Sequence, residues 1–184
     1  MDRISALKLL ESNLFDKNLI KHSLSVEAVM VDLAEHFKED KEDWGVAGLL
    51  HDVDYEQTKD CPEKHGLKSM EILKDAELSQ DVLNAIASHN EMTQVSKETL
   101  MAKALFCVDP LTGLIVASTL VVPSRKIKDL ELASVLKKFK EKSFAKGAKR
   151  ENILLCEQDL GLKLEDFLKI ALLAMQKIDK DLGL

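Results

Sequence analysis

Apolar residues recur along this chain at helical spacing. Ile4, Leu7, Leu10 and Leu14 predict an amphipathic helix over residues 2–12. A second, over about 18–36, carries Val26, Val29, Met30, Leu33 and Phe37 on one stripe, and His22 lies one turn before Val26 on that stripe. Residues 42–51 form a third, with Trp44, Ala47, Leu50 and His51 on one face, and the polar turn VDYEQTKDCPEKHG ends it at His51-Asp52. A short helix is predicted over 66–74, and another over 79–90, where Val82, Ile86 and His89 recur at i, i+4 and i+7. The most apolar helix spans 99–122; Asp109 follows Ala102 and Leu105 on its apolar face, and Pro110 is predicted to kink it by removing a donor and crowding the preceding turn. Two further helices, 129–145 and 164–182, complete the chain, with Gly161 a break between shorter pieces. No solenoid repeat, low-complexity stretch or long linker interrupts the series. The pattern predicts an all-α fold: a single domain over 1–184, with a helical core at about 18–122 and a C-terminal helical part at about 123–184.

Composition agrees. A length of 184 residues with 46% hydrophobic content can bury a substantial core, while 4% aromatics, 3 prolines and 7 glycines provide neither the turns nor the strand formers of a sandwich or barrel. Cys61, Cys107 and Cys156 are odd in number and form no C-x-x-C pair, which fits a reducing cytoplasm. The opening MDRISALKLLESN is charged and amphipathic, unlike a secretory signal. Lys103 and Asp109-Pro110 interrupt the apolar run at 101–122, so it reads as a buried core helix, and no membrane partner is expected. The net charge of −6 speaks against general nucleic-acid affinity. One segment departs from that average: residues 125–150 hold ten Lys or Arg against three acidic residues, a net +7 that leaves −13 for the rest. Charge runs are most often solvated helix faces, and an anion-binding role for this one requires a site nearby.

Four of the five histidines, His22, His51, His65 and His89, fall on or at the ends of faces otherwise made of Val, Ile, Leu and Ala. A buried imidazole must satisfy two ring nitrogens, and a buried carboxylate such as Asp52 or Asp109 is costly unless paired or bound to a metal. A metal centre satisfies all of them together. Nitrogen and carboxylate donors suit Mn, Fe, Co, Ni or Zn better than calcium or magnesium, so one or two divalent transition metals are the expected cofactor. His36 serves as an internal control. Helical phase puts it near the side of His22, but fourteen residues separate them by roughly 21 Å, so it belongs to the surface or helix end.

These residues resemble the HD superfamily of metal-dependent phosphohydrolases: His22, the doublet in GLLHDVDYE, and Asp109 in ALFCVDPLTG, over roughly residues 18–122. The resemblance implies that His22, His51, Asp52 and Asp109 ligate one metal. His65 in PEKHGLKSMEIL and His89 in NAIASHNE stand where binuclear branches place two more ligands, with Asp52 bridging, a pattern similar to the bacterial branch that includes symmetrical diadenosine-tetraphosphate hydrolases. The implied reaction is hydrolysis of a nucleotide or other small phosphate ester or anhydride by metal-activated water.

Departures from the family narrow this. Tyr55 stands where several binuclear branches carry a Lys, so another proton donor is required. His89-Asn90 replaces a paired histidine and no G-Y-P occurs, which disfavours cyclic dinucleotides. DPLTGLIVAS replaces the acidic and Arg residues that follow the last Asp in the dinucleoside-polyphosphate branch. Asp52, Asp54 and Lys68 are the catalytic candidates; Lys64, Asn90, Arg125 and Lys126 are the candidates for substrate phosphate, with Glu63 beside them. Two other readings stay open: a metal- and nucleotide-binding module with little or no turnover, and a structural helical protein whose basic 137–149 stretch docks an acidic partner. The expected partner is a small phosphorylated substrate and not nucleic acid, with room for a homodimer.

Overall fold

The computed structural model describes residues 1–184 and contains helices and turns but no strand. Several helices begin where a short polar side chain can hold a free backbone N–H. Asp2 accepts from Ser5 at the start of α1 (Arg3–Asn13), Asp16 from Asn18 before α2 (Lys17–Phe37), and Asp40 from Glu42 and Asp43 before α3 (Lys41–Leu50). Ser79 and Thr99 do the same for α6 (Gln80–Ser88) and α7 (Leu100–Leu120). Between α3 and α6 the chain makes only two single-turn α-helices, α4 (Tyr55–Thr58) and α5 (Ser69–Ile72), and a 3-10 turn at Pro62–Lys64.

The longest apolar helix, α7, is the centre of the molecule. Helices α2, α6 and α9 (Arg150–Asp159) pack on it, as do α8 (Leu132–Lys140) and α10 (Leu164–Lys177), while α3 lies across α2 and α6. Its length and hydropathy would suit a membrane span, yet Met101, Leu105, Cys107, Val108, Leu111, Leu114 and Ile115 are all buried inside the protein. The helix runs on through Pro110 without interruption. A single apolar cluster extends from Ala6 to Leu182, so the residues after 122 fill the same core as those before it.

Three of the expected helices change. The 66–74 segment is helical only over α5, because Gly66 adopts φ +90° and turns the chain before the helix starts. The 164–182 segment divides into α10 and α11 (Asp179–Leu182). The 129–145 helix stops at Lys140, and a separate helix, α9, follows a loop over 141–149. Arg150 causes that reversal. Its guanidinium donates to the carbonyls of Lys138, Phe139, Phe144, Ala145 and Ala148, so one cation draws five acceptors of the helix end and the loop toward a single point.

Helices α2 and α3 meet with almost no space between backbones. A Cβ on Gly48 would lie 3.0 Å from both the Cα and the N of Glu27, atoms that cannot rotate away. Gly48→Ala is therefore expected to force the helices apart and cost about 1–3 kcal/mol, the range for overpacking. A lower urea midpoint with an unchanged m-value would show it, whereas wild-type stability would mean that the contact yields.

Candidate metal centre

Six side chains expected to meet do so where α2, α3, α6 and α7 converge. His22 projects from the second turn of α2 and Asp109 from the middle of α7, while His51 and His89 are the C-caps of α3 and α6. Asp52 follows His51, and His65 closes the turn at Pro62–Lys64. His22 Nε2 lies 3.0 Å from Asp109 Oδ1, 3.2 Å from His51 Nε2 and 3.7 Å from Asp52 Oδ2. His65 Nε2 lies 3.1 Å from Asp52 Oδ1 and 3.0 Å from His89 Nε2, and His89 Nε2 is 3.6 Å from the same oxygen. Two groups suited to a cation result, His22–His51–Asp52 and Asp52–His65–His89, with Asp52 common to both.

The remaining ring nitrogens fix what these atoms can do. Each Nδ1 faces an acceptor: His51 donates to the carbonyl of Gly48 at 2.7 Å, His89 to that of Ile86 at 2.6 Å, and His65 to Asp54 Oδ1 at 2.8 Å. Thr112 gives its own proton to the carbonyl of Asp109, so its oxygen accepts from His22 Nδ1 at 3.2 Å. All four imidazoles thus spend their N–H outward and turn Nε2 lone pairs inward, toward two carboxylates. This is the outer-shell pattern of metal-ligating histidines.

Ligands bonded at about 2.1 Å sit roughly 3.0 Å apart when adjacent in an octahedron, close to the spacings found here. The donor set fits a divalent transition metal. Without one, the inward lone pairs must be held by protons. Although burial opposes it, Asp52 and Asp54 push His65 up to about 10, and Asp109 raises His22. Burial holds His51 down to about 4. Asp52 lies well below the usual carboxylate range because, against its burial, the surrounding imidazoles favour the anion.

Beside the cluster opens a polar pocket of about 190 Å³, lined by His65, His89 and Asp109 on one side and by Gly147, Lys149 and Asn152 on the other. The first turn of α9 borders it with no side-chain cap, and Lys149 also pairs with Glu91 on the rim. A cation, an amide and a positive helix end therefore face the metal-binding side chains, an arrangement suited to an anion.

Several expected roles change. Asp54, a catalytic candidate, is fully buried and accepts from His65, Gly66 and Ser69, so it orients His65 and shapes the loop instead of meeting a substrate. Asn90, although on the pocket wall, is bound to the carbonyls of Pro62 and His65 and to the N–H of Met92, and so anchors that loop. Lys68 is paired with Glu71, and Lys64 and Glu63 are exposed on the turn before His65; none of the three lines the polar pocket. Arg125 and Lys126 lie beyond the end of α7, and the eleven residues from Asp109 to Leu120 alone advance the chain by about 16 Å. The cation that does reach the pocket is Lys149, whose only signal in the sequence was the net +7 of the 125–150 run. Tyr55 packs edge-on against His65, and His36 sits in the last turn of α2, away from the cluster.

Asp54→Asn should weaken metal binding by about 10–100-fold, measured by competition with a chromogenic chelator, as expected for removal of an outer-shell carboxylate. In the metal-free protein, His51 stays neutral when folded, while the unfolded chain takes up its proton below about 6.5; stability therefore falls as pH drops from about 6.5 toward about 4. His65 has the opposite sign: its contribution is full below about 6.5 and is lost as pH rises toward about 10. Thermal unfolding in chelator is expected to peak near pH 6.5, and His65→Gln to flatten the alkaline limb; an unchanged limb would remove His65 as its origin.

The HD domain family matches this chain over residues 19–117. Ribonuclease Y of Oleidesulfovibrio alaskensis is 28% identical over 99 residues, 54% of this chain and 19% of that relative. Ribonuclease Y of Fusobacterium nucleatum is 25% identical over 146 residues, 79% of this chain and 29% of that relative. The chain thus spans less than a third of the relatives it matches, and the family match at 19–117 carries all six clustered side chains. By sequence match, helical architecture and the His-Asp cluster together, this protein belongs to the HD domain family, a superfamily of metal-dependent phosphohydrolases.

Proposed function

We propose that this protein hydrolyses a phosphate ester or anhydride of a nucleotide at the His-Asp cluster, using one or two divalent transition metals from among Fe, Mn, Co, Ni and Zn. The observation that carries the reading is the pairing of inward lone pairs with a polar pocket bordered by Lys149, Asn152 and the open start of α9. When bound, such a metal supplies a water of lowered pKa and a Lewis acid for a phosphoryl oxygen. His22, His51, His65, His89, Asp52 and Asp109 hold it, and the carbonyls of Gly48 and Ile86, the Asp54 carboxylate and the Thr112 hydroxyl keep the rings aimed. Lys149 and Asn152 contact the phosphate and offset its charge as the leaving group departs. Lys149 also stands as the candidate proton donor, in the role left open by Tyr55.

A second reading has support of its own. The relatives are named ribonuclease Y, and Lys140, Lys142 and Lys146 line a neighbouring cavity of about 440 Å³ that shares Lys149 with the polar pocket. An oligoribonucleotide end could follow that basic path into the cluster.

Elemental mass spectrometry of protein purified without added metal or chelator is expected to find about one or two equivalents of a transition metal, with sharp loss in His51→Ala and His89→Ala. Turnover of nucleoside monophosphates, dinucleoside polyphosphates and a short oligoribonucleotide then separates the two readings. Lys149→Ala should raise KM by about three- to tenfold and lower kcat by about a hundredfold or more, the loss expected when a proton donor is removed. Absence of metal, even after reconstitution with Mn, Fe, Co, Ni or Zn, overturns the enzyme reading, and stoichiometric metal with nucleotide binding but no turnover identifies a binding module.

A further inference from the structure

A second cavity, about 390 Å³, shares His22 with the cluster and lies between α2, α7 and the residues Leu182 to Leu184. Val116, Ala117, Leu120 and Leu182 give it apolar walls, and Asn18 and Lys21 stand on its polar edge, their side-chain ends without a hydrogen-bond or ion-pair partner in the protein. His22 is common to this groove and to the cluster, and His22 Nε2 lies 3.0 Å from Asp109, which lines the polar pocket. The two cavities therefore flank one pair of side chains.

The groove floor is Gly113, inside α7 and one turn beyond Asp109. Glycine within a helix costs about 1 kcal/mol relative to alanine. A helical glycine is normally explained by a close neighbour or a positive φ. Gly113 has neither, since a Cβ built there meets no atom within 4 Å. Gly48, by contrast, has Glu27 backbone at 3.0 Å. What the missing side chain at 113 does leave is open volume beside His22.

We propose that this groove receives the nucleobase of the substrate, with Gly113 as the residue that keeps it open. Its volume falls in the range of small-ligand sites, and apolar walls with a few polar groups at one edge suit a flat heteroaromatic ring. Asn18 can both donate to and accept from a base edge, and Lys21 adds a donor. One turn of α7, about 6 Å, separates Gly113 from Asp109, a distance a single sugar ring spans between a base in the groove and a phosphate in the polar pocket. The inference rests on the nucleotide-hydrolase reading and adds to it where the base lies.

The test compares wild type, Gly113→Ala and Gly113→Met on the nucleoside 5′-monophosphates and on ribose 5-phosphate, which keeps sugar and phosphate but lacks the base. Wild type is expected to favour the best nucleotide over ribose 5-phosphate by at least about tenfold in kcat/KM, and Gly113→Met to bring that ratio close to one by filling the groove. Gly113→Ala should raise the melting temperature, because only helix propensity changes. A ratio unchanged in Gly113→Met, no preference for the base in wild type, or destabilisation by alanine each overturns the proposal while turnover leaves the hydrolase reading standing. If neither nucleotides nor ribose 5-phosphate are turned over and inorganic phosphate does not bind, the hydrolase reading fails and the groove assignment falls with it.

Discussion

Asp52 is a buried carboxylate with imidazole nitrogens of His65, His51 and His89 at 3.1, 3.4 and 3.6 Å from one of its oxygens. Everything nearby is arranged around that crowding. An anion so placed is tolerable only if positive charge is held among the rings, and the outward direction of every Nδ1–H decides that such charge must come from the centre. The helices converge here because each contributes something the centre requires: α2 from its second turn, α7 from its middle, and α3 and α6 from their ends, where backbone carbonyls one turn earlier are in reach of a ring.

The same constraint explains why the loop between α3 and α6 is ordered although it holds little regular structure. Asp54 accepts N–H groups from Gly66 and Ser69 as well as the His65 ring, and Asn90 ties the carbonyls of Pro62 and His65 from the far side. Two buried or half-buried polar side chains take the place of a helix in fixing His65.

Much of this was legible in the sequence. His22, His89 and Asp109 interrupt apolar stripes at helical spacing, and a polar group on such a stripe has to be satisfied internally. The order of the helices followed from the same periodicity. His65 gave a weaker signal, since it stands before a short helix and on no periodic stripe, and the family pattern gave it its role. Asp54 looked catalytic because a carboxylate beside a ligand can be so; its burial depends on Gly66 folding the chain back over it, a long-range event. Arg125 and Lys126 looked well placed in sequence, but the rigid rise of α7 carries them away from Asp109. Lys149, forty residues from Asp109, arrives because Arg150 reverses the chain, and hydrogen bonds to scattered carbonyls leave no mark on composition.

Arg150 also marks where the chain, having left the family match, returns to the site. The stretch that matches the HD domain family, 19–117, contains the whole metal-binding set, whereas the loop that Arg150 gathers lies outside it and carries Gly147 and Lys149, with Asn152 just beyond. The metal-binding side chains and the cation that faces them are therefore carried by separate parts of the chain. Mutations can remodel the loop without disturbing a single metal-binding side chain, so the wall opposite the cluster can change its charge and shape while the cluster keeps its own.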